Sequence, residues 1–448
     1  MAEYSVVGQR LPRVDGWGKV LGQAQYVADI VLPNMLTGKL LLSPHPHARI
    51  LHIDTSRARA LPGVKGVISG DDILKVKFGT SPFHLDQYAL AVGKVRHVGE
   101  AVGAVAAVDE ETALEALELI RVEYEPLPAV FDPLEAMQPS APRVHDEVED
   151  NVSARFRRGY GDVDGAMRLA DHVREDTLRT NPVNHAAMEP HGAVALWHAE
   201  GSLTMWTSSS MPFLLRRTLA SLMGIPEARV RLRSITLGGS FGGKNGHFPY
   251  NLASGLLSKL TGRPVKIILS REEVFLTTKQ RHPSVVTVRT GARRDGTLLA
   301  QEVRAIFDGG AYNDTAHVIV VIGGYKSMIP YAIPNFQYEG LHVYTNKPLG
   351  GPMRGHGAPQ VRFAIESHLD ILAEELGVDP LDLRLKNAIP ASGEHPAPKL
   401  FSINTCGMVE AIEEVADKLR WRERKGKLPP GRGIGIACGG FQTGSKHT

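Results

Sequence analysis

The chain has 448 residues, of which 43% are apolar and 22% charged, and its 51 lysines and arginines nearly balance 48 aspartates and glutamates, for a net charge of +3. This composition predicts a globular protein of two or three domains, and so small a charge gives no reason to expect binding to nucleic acid or to a membrane surface. No window approaches the roughly 18 uncharged apolar residues of a spanning helix, and the start, MAEYSVVGQR, lacks a signal-peptide core, so we expect a cytoplasmic protein.

The chain has two cysteines, Cys406 and Cys438, and this number limits the redox centres that it can hold. They are too few for a disulfide scaffold and too few for an iron–sulfur cluster, which commonly takes about four thiolates. Any redox function must therefore pass electrons to another chain.

Residues 1–132 are predicted to form an α+β domain whose first 20 residues are an extended arm. The segment 100–108 (EAVGAVAAV), which has no polar side chain after Glu100, predicts a buried strand. The segment 111–120 has the periodicity of a helix, and 121–125 alternates as a strand. A linker follows at 133–154; its prolines and acidic residues favour a solvated connector.

A second domain is predicted for residues 155–395 and the start of a further one for 396–448. Strands are expected at 193–197, 203–206 and 230–237, and through most of 265–345, with breaks at two glycine pairs, Gly309-Gly310 and Gly323-Gly324. Helices are expected at 211–223, 250–260, 361–376 and 408–421.

Two glycine-rich segments carry the chemistry, 238–244 (GGSFGGK) and 353–360 (MRGHGAPQ). Glycines let a backbone approach a bulky anion and turn its N–H groups inward, and arginine binds phosphate or oxo groups bidentately. The first segment is expected between a strand and a helix, where a helix N-terminus would add positive charge. These features predict a backbone cradle for an anionic cofactor; a glycine-rich hairpin without a ligand is the alternative.

Two weaker patterns accompany these segments. His185 and Glu189 have the spacing of two metal ligands on a helix, but Pro190 disfavours a helix there, so a structural turn is favoured. The turn at 308–312 (DGGAY) exposes backbone and is a candidate third edge of the cradle.

Taken together, several segments resemble the molybdopterin-binding subunit of the xanthine oxidase family, from about Gly8 to the end. The matching segments, in chain order, are 15–22 (DGWGKVLG), 26–29 (YVAD), 43–48 (SPHPHA), 94–100 (KVRHVGE), 122–128 (VEYEPLP), 188–191 (MEPH), 238–244, 345–348 (TNKP), 354–357 (RGHG) and 379–387 (DPLDLRLKN). The resemblance implies an α+β fold in which an a/b hammerhead domain precedes the first molybdopterin cofactor-binding domain, with only the start of the second.

The same resemblance implies a Mo-molybdopterin cofactor, in bacterial members often the molybdopterin cytosine dinucleotide. It also implies partner subunits that carry [2Fe-2S] clusters and FAD, and an oxidoreductase that uses a glutamate base at an electron-poor carbon. The cofactor-binding positions that match are Gly239, Ser240, Phe241, Gly242, Arg354 and Ser210. The substrate-pocket positions are His356, Asn245 and Tyr325.

Three departures from the family pattern shape the substrate expectation. The family's catalytic glutamate lies beyond the reach of this chain, so the catalytic residue is unknown, no metal ligand is assigned, and a second molybdopterin-domain polypeptide or a truncated product is expected. Ser210 stands where many members have glutamine, and a serine is too short to make the same contact without a water or a shifted backbone. Asn245 and the Gly323-Gly324 region stand where purine-oxidising members carry charged anchors, which disfavours purines.

The neighbourhood of Tyr325 and the segment 354–357 look closest to the α subunit of 4-hydroxybenzoyl-CoA reductase, which removes a phenolic hydroxyl. Tyr325 would donate a hydrogen bond beside a small aromatic substrate; a tyrosine of the core is the alternative. A hydroxylase of an N-heterocycle or aldehyde, arranged as a split subunit like nicotinate dehydrogenase, and a truncated non-catalytic relic are the other interpretations.

Overall fold

The computed structural model describes residues 5–81, 84–390, 395–396 and 406–440. Within these ranges the fold is a mixture of helices and four sheets, as the α+β expectation requires. In the described part of the chain, no helix combines the length and apolarity needed to cross a bilayer.

Strands and helices follow one another along the whole described chain. The strands are Leu36–Leu42, Ala48–Asp54, Val64–Ser69, Lys94–Val95, Ala101–Ala107, Arg121–Pro126, Val152–Tyr160, His172–Thr180, Val183–Asn184, Gly192–Trp197, Leu203–Thr207, Val230–Arg233, Val265–Ile268, Gln280–Arg281, Ser284–Ala292, Leu298–Gly310, Asn335–Tyr344 and Gly350–Gly351. The α-helices are Gly16–Val20, Ser56–Ala60, Glu110–Leu119, Pro133–Ala136, Val163–Arg168, Pro212–Met223, Pro249–Thr261, Arg271–Thr277, Ala316–Met328, Ala358–Leu376, Pro380–Asn387, Met408–Leu419 and Trp421–Arg424, with 3-10 turns at Val27–Asp29 and Glu227–Arg229.

A seven-stranded sheet joins the first part of the chain to the second. Leu36–Leu42 pairs antiparallel with Ala101–Ala107 on one side and parallel with Val265–Ile268 on the other. A Cβ built at Gly38 would lie 2.6 Å from Ile267 Cγ1, so only glycine allows this close parallel pairing. The helix Pro249–Thr261 packs on the sheet and closes the first core.

A five-stranded sheet forms the second core. Its strands run in the order Val152–Tyr160, Asn335–Tyr344, Leu298–Gly310, Ser284–Ala292 and His172–Thr180. The helices Ala316–Met328 and Ala358–Leu376 cover it and bury one continuous apolar cluster.

The stretch 316–328, predicted as strand with a break at Gly323-Gly324, is a helix. Its sequence, AHVIVVIGGYKSM, is β-branched and apolar on nearly every side, so it has no helical periodicity to read. A Cβ at Gly324 would lie 2.7 Å from the Tyr338 ring, so the glycine pair permits close packing on the sheet rather than ending the element.

The stretch 133–154 is not the solvated connector that its composition predicts. It contains the helix Pro133–Ala136 and the first residues of Val152–Tyr160, and Val144 and Asn151 are fully buried. The Asn151 side chain accepts a hydrogen bond from the Val144 N–H and donates to the Ala136 and Pro142 carbonyls, so the segment is fixed against the fold. The domain boundaries at 132 and 154 stay a proposal.

Candidate cofactor site

A buried ion pair fastens both ends of the loop 238–244. Glu189 Oε2 accepts a hydrogen bond from the Gly238 N–H at 2.9 Å and from Lys244 Nζ at 2.6 Å. The Lys244 side chain is fully buried and that of Glu189 is 9% exposed. Burial lowers the pKa of the Lys244 ammonium, and the Glu189 carboxylate opposes that shift. One carboxylate therefore holds the two ends of the loop together.

Between those ends the loop turns its backbone outward. Phe241 has φ +52 and its side chain is half exposed, and Gly242 has φ +100. Among the described residues, nothing accepts a hydrogen bond from the N–H groups of Gly239, Ser240, Phe241 and Gly242. Four consecutive N–H groups are therefore available to an anion such as a phosphate or oxo group.

The second glycine-rich segment meets the first directly. The Arg354 N–H donates to the Phe241 carbonyl at 2.9 Å, and a Cβ at Gly242 would lie 2.4 Å from the Pro352 carbonyl oxygen. His185 supports the contact from below, since its Nε2 lies 2.8 Å from the same Pro352 oxygen. Two turns more than 100 residues apart in sequence thus share one surface.

The charge at this surface is positive. The Arg354 side chain is exposed and makes no ion pair or hydrogen bond within the described residues, while its carbonyl accepts a hydrogen bond from the Arg281 guanidinium at 2.7 Å. Arg281 itself has no carboxylate partner in the described part of the chain; its other contact is Gln360. Two uncompensated guanidinium groups favour an anion here.

Ser210 and Asn245 lie at the edges of the same loop. The Ser210 N–H donates to the Lys244 carbonyl at 3.0 Å, and the Ser210 and Ser240 hydroxyl oxygens are 2.6 Å apart. The Asn245 N–H donates to Gly242, and its carbonyl accepts from Lys279 Nζ at 2.8 Å. Both predicted residues therefore belong to the loop's hydrogen-bonded frame.

A polar layer around the buried Lys279 lies beneath the loop, and the sequence did not reveal this layer. Its ammonium donates to Asp314 Oδ1 at 2.5 Å and to Thr80 Oγ1 at 3.0 Å, and Thr80 also hydrogen-bonds Asp314. Thr80 and Asp314 are 234 positions apart, so only the folded structure reveals the cluster. The one sequence signal is the basic run 279–282 (KQRH) after a helix.

His356 completes the second turn. Its Nε2 lies 3.5 Å from Thr315 Oγ1, and burial lowers its pKa to about 4. The imidazole is therefore neutral at physiological pH and offers one donor and one acceptor instead of a charge.

A groove of about 210 Å³ opens beside this layer. Thr80 belongs to both, and the remaining lining is mostly apolar, from Phe78 and Leu85 on one side and Leu214 and Leu222 on the other. That volume is below the roughly 300–1,000 Å³ of sites for drug-sized ligands, so it suits a small molecule.

Other predicted residues lie elsewhere. The Tyr325 ring is half-buried and lies 6.0 Å from that of Phe156 in the second core, which fits the alternative of a core tyrosine. The segment 308–312 does not expose its backbone as predicted: 308–310 end the strand Leu298–Gly310, all five residues are buried, and the Ala311 N–H donates to the Lys347 carbonyl.

His185 and Glu189 do not share a metal ion. The His185 ring nitrogens face the carbonyls of Lys279 and Pro352, whereas the Glu189 carboxylate binds the glycine loop. No cluster of three or more metal-ligating side chains occurs in the described ranges. The favoured interpretation, a structural turn, agrees with this geometry.

Comparison with known proteins places this geometry in a family. The molybdopterin cofactor-binding domain matches residues 144–388, more than half of the chain. The chain belongs to the xanthine dehydrogenase family of molybdopterin-binding subunits. The a/b hammerhead domain of aldehyde oxidase and xanthine dehydrogenase matches residues 21–128, so this family's two-domain arrangement is confirmed.

Relatives of this family differ in length. A probable xanthine dehydrogenase subunit from Bacillus subtilis is 40% identical over 84% of this chain but 50% of its own length. The nicotinate dehydrogenase large molybdopterin subunit of Eubacterium barkeri is 35% identical over 93% of this chain and 97% of its own. The crystal structure of quinoline 2-oxidoreductase from Pseudomonas putida 86 superposes with a TM-score of 0.85 at 32% identity, covering 94% of this chain and 56% of that one. The chain thus spans about half the length of several family members.

The residues at the paired turns fit the molybdopterin group that the family binds. Such a group is anionic, and the free N–H groups of 239–242 and the Arg354 guanidinium supply donors and positive charge without a protein acceptor. A side chain at Gly242 would fill the space between the turns. When bound, the cofactor supplies two-electron redox chemistry at molybdenum.

Proposed function

We propose that this chain is the cofactor-binding part of a molybdenum-dependent oxidoreductase that acts on a small aromatic or heteroaromatic substrate. The hydrogen bond from Arg354 to Phe241 carries the proposal, because it joins the two glycine-rich turns into one anion-binding surface. The relatives support the class, since their names include xanthine, nicotinate and nicotine enzymes.

In this proposal the chain's own residues bind and orient. The backbone N–H groups of Gly239, Ser240, Phe241 and Gly242, with the Ser210 hydroxyl, hold the cofactor's polar edge, and Arg354 balances its charge. Asn245 and the neutral His356 contact substrate by hydrogen bonds rather than by charge. The base is supplied by a second molybdopterin-domain polypeptide, and iron–sulfur and FAD subunits accept the electrons.

Within this class, the sequence pattern around 354–357 favours reductive dehydroxylation of the 4-hydroxybenzoyl-CoA reductase type. One observation favours a second candidate, hydroxylation of an N-heterocycle: the nicotinate dehydrogenase subunit is matched over 97% of its length. In neither case does the contact of Tyr325 with Phe156 support a role at the substrate.

The test is to purify the tagged full chain with its accompanying subunits and to measure molybdenum and pterin. The complex is then assayed with 4-hydroxybenzoyl-CoA plus a low-potential reductant, and with nicotinate or xanthine plus a dye acceptor. Turnover of only the thioester supports the first candidate, and oxidation of nicotinate supports the second. A complex without molybdenum and pterin refutes the proposal and leaves the non-catalytic relic.

A further inference from the structure

The segment 433–440 (GIGIACGG) at the end of the described chain is extended and has no sheet partner within the described residues. Burial alternates along it: Ile434 and Ile436 pack on the second core and Cys438 is buried in it, whereas Gly435 and Ala437 are exposed. A period of two is typical of a strand with one face on a core. The segment thus has the burial pattern of a strand but no strand partner within the described residues.

One edge of this strand is already occupied. The Cys438 N–H donates to the buried carboxylate of Glu366 at 3.0 Å. Because successive N–H groups of an extended chain point to opposite edges, those of Gly435, Ala437 and Gly439 point to the other edge. In the described structure nothing accepts a hydrogen bond from these three groups.

The outward face of the segment is also open. Nothing lies within 4 Å of a Cβ built at Gly433, Gly435 or Gly439, and Ala437 adds only a methyl group. Proteins normally protect an exposed edge with charge, proline or a covering loop. Here the outward positions carry none of these, which is what a second strand requires for close approach.

We propose that 433–440 is a docking edge that accepts a strand from the polypeptide supplying the second half of the cofactor-binding fold. This inference rests on the proposed function, in which that half is a separate chain. The match to the quinoline 2-oxidoreductase chain covers 94% of the present chain but only 56% of the quinoline enzyme's chain. The remaining part of that enzyme's chain is therefore nearly as long as the part that matches. A strand from those residues fits an edge that the residues described here leave unpaired.

A second copy of this chain is a poorer occupant. The stretch 420–432 (RWRERKGKLPPGR) immediately precedes the strand and holds six basic residues against one acidic residue. Parallel pairing of two copies would bring these stretches together, and like charges at an interface disfavour association.

The test uses the tagged full chain, alone and in complex with the polypeptide that the neighbouring reading frame encodes as the second half of the fold. Amide hydrogen exchange is followed by mass spectrometry. We expect exchange at Gly435, Ala437 and Gly439 to slow at least about tenfold in the complex, as newly paired strand amides do.

A pair of substitutions at one position tests the hydrogen bond itself. Ala437→Pro removes an N–H that has no partner within the described chain, so the fold is expected to persist while association weakens by about tenfold or more. Ala437→Val keeps the N–H and is expected to associate within about threefold of the unsubstituted chain. Circular dichroism of both variants checks that each is folded.

Unchanged exchange in the complex, full-strength association of Ala437→Pro, or no complex at all overturns the proposal. Protection of the same amides in the chain alone, with a dimer in sedimentation, assigns the edge to a second copy and also overturns it. Molybdenum content separates this result from the proposed function. A loaded complex with unprotected amides refutes only the docking edge, and protected amides without molybdenum refute only the function.

Discussion

The ion pair between Lys244 and Glu189 gives the sharpest prediction, because it is buried and fixes both ends of the loop. Lys244→Met keeps the length of the side chain but leaves the Glu189 carboxylate, 9% exposed, without its cation. Removing one partner of a buried pair costs about 3–5 kcal/mol, and we expect a loss of free energy of unfolding in that range.

The assay is urea unfolding, monitored by tryptophan fluorescence. Trp197 and Trp206 lie on two strands of the seven-stranded sheet, and both strands precede the loop in sequence. Lys418→Met is the matched control: it breaks an ion pair with Glu414 whose side chains are 72% and 66% exposed. Exposed pairs contribute about 0–1 kcal/mol, so this variant is expected to unfold almost like the unsubstituted chain.

A double-mutant cycle with Glu189→Gln separates the pair from its surroundings. The double variant has no uncompensated charge, so its cost should fall short of the summed single costs by about 2 kcal/mol or more. If Lys244→Met costs no more than Lys418→Met, or if the cycle is additive, the pair does not hold the loop and the reasoning is refuted.

Arg354→Ala should reduce molybdenum content of the purified complex to about a tenth or less, because an anion loses its charged donor, whereas Arg354→Lys should retain part of it; normal content in the alanine variant would disprove the assignment. Gly242→Ala, at φ +100 and against the Pro352 carbonyl, should separate the two turns and lose the cofactor. The control Gly377→Ala, at φ +67 in open space, should lower the free energy of unfolding by only about 1 kcal/mol. Equal molybdenum content in the two variants would contradict this. Acid should destabilise the fold. Burial lowers the pKa of five histidines to about 3 to 4, below the ordinary 6.5. Between these values the unfolded chain binds protons at these positions and the folded chain does not. Stability is then lost as pH falls below 6.5. Asp86, whose pKa is raised to about 6 by burial, opposes this loss only in part; a flat urea midpoint between pH 6.5 and 5 would refute the expected loss of stability. The histidines are His145, His191, His247, His342 and His356.

Where local periodicity was strong, the sequence was sufficient. The segment predicted as a strand at 100–108 contains the buried strand Ala101–Ala107, and 361–376 lies within the helix Ala358–Leu376. Periodicity works in these cases because one face, or both faces, of the element meet a core.

Where tertiary packing decides, the sequence misled. The helix Ala316–Met328 has no polar face, so its β-branched run predicted strand. The strand expected at 230–237 ends at Arg233 and the following helix begins only at Pro249, so the glycine loop does not run directly into that helix. The loop's positive charge comes from arginine side chains instead.

For the site, the sequence located both glycine-rich turns, because glycine's backbone freedom is visible in one-letter code. It could not place Lys279 with Asp314 and Thr80, since nothing local in a sequence reports which distant polar groups share a buried layer. Tyr325 was predicted as a substrate-pocket residue from the family resemblance alone, and its ring contacts Phe156 in the second core.

The parallel pairing of Leu36 with Val265 has a consequence for protein engineering. Since residues 36–107 contribute three strands to a sheet completed after residue 190, the hammerhead portion cannot be exchanged between family members as a detachable module. A working chimera must preserve that interstrand register and the glycine at position 38, or the recombined halves will not share a sheet.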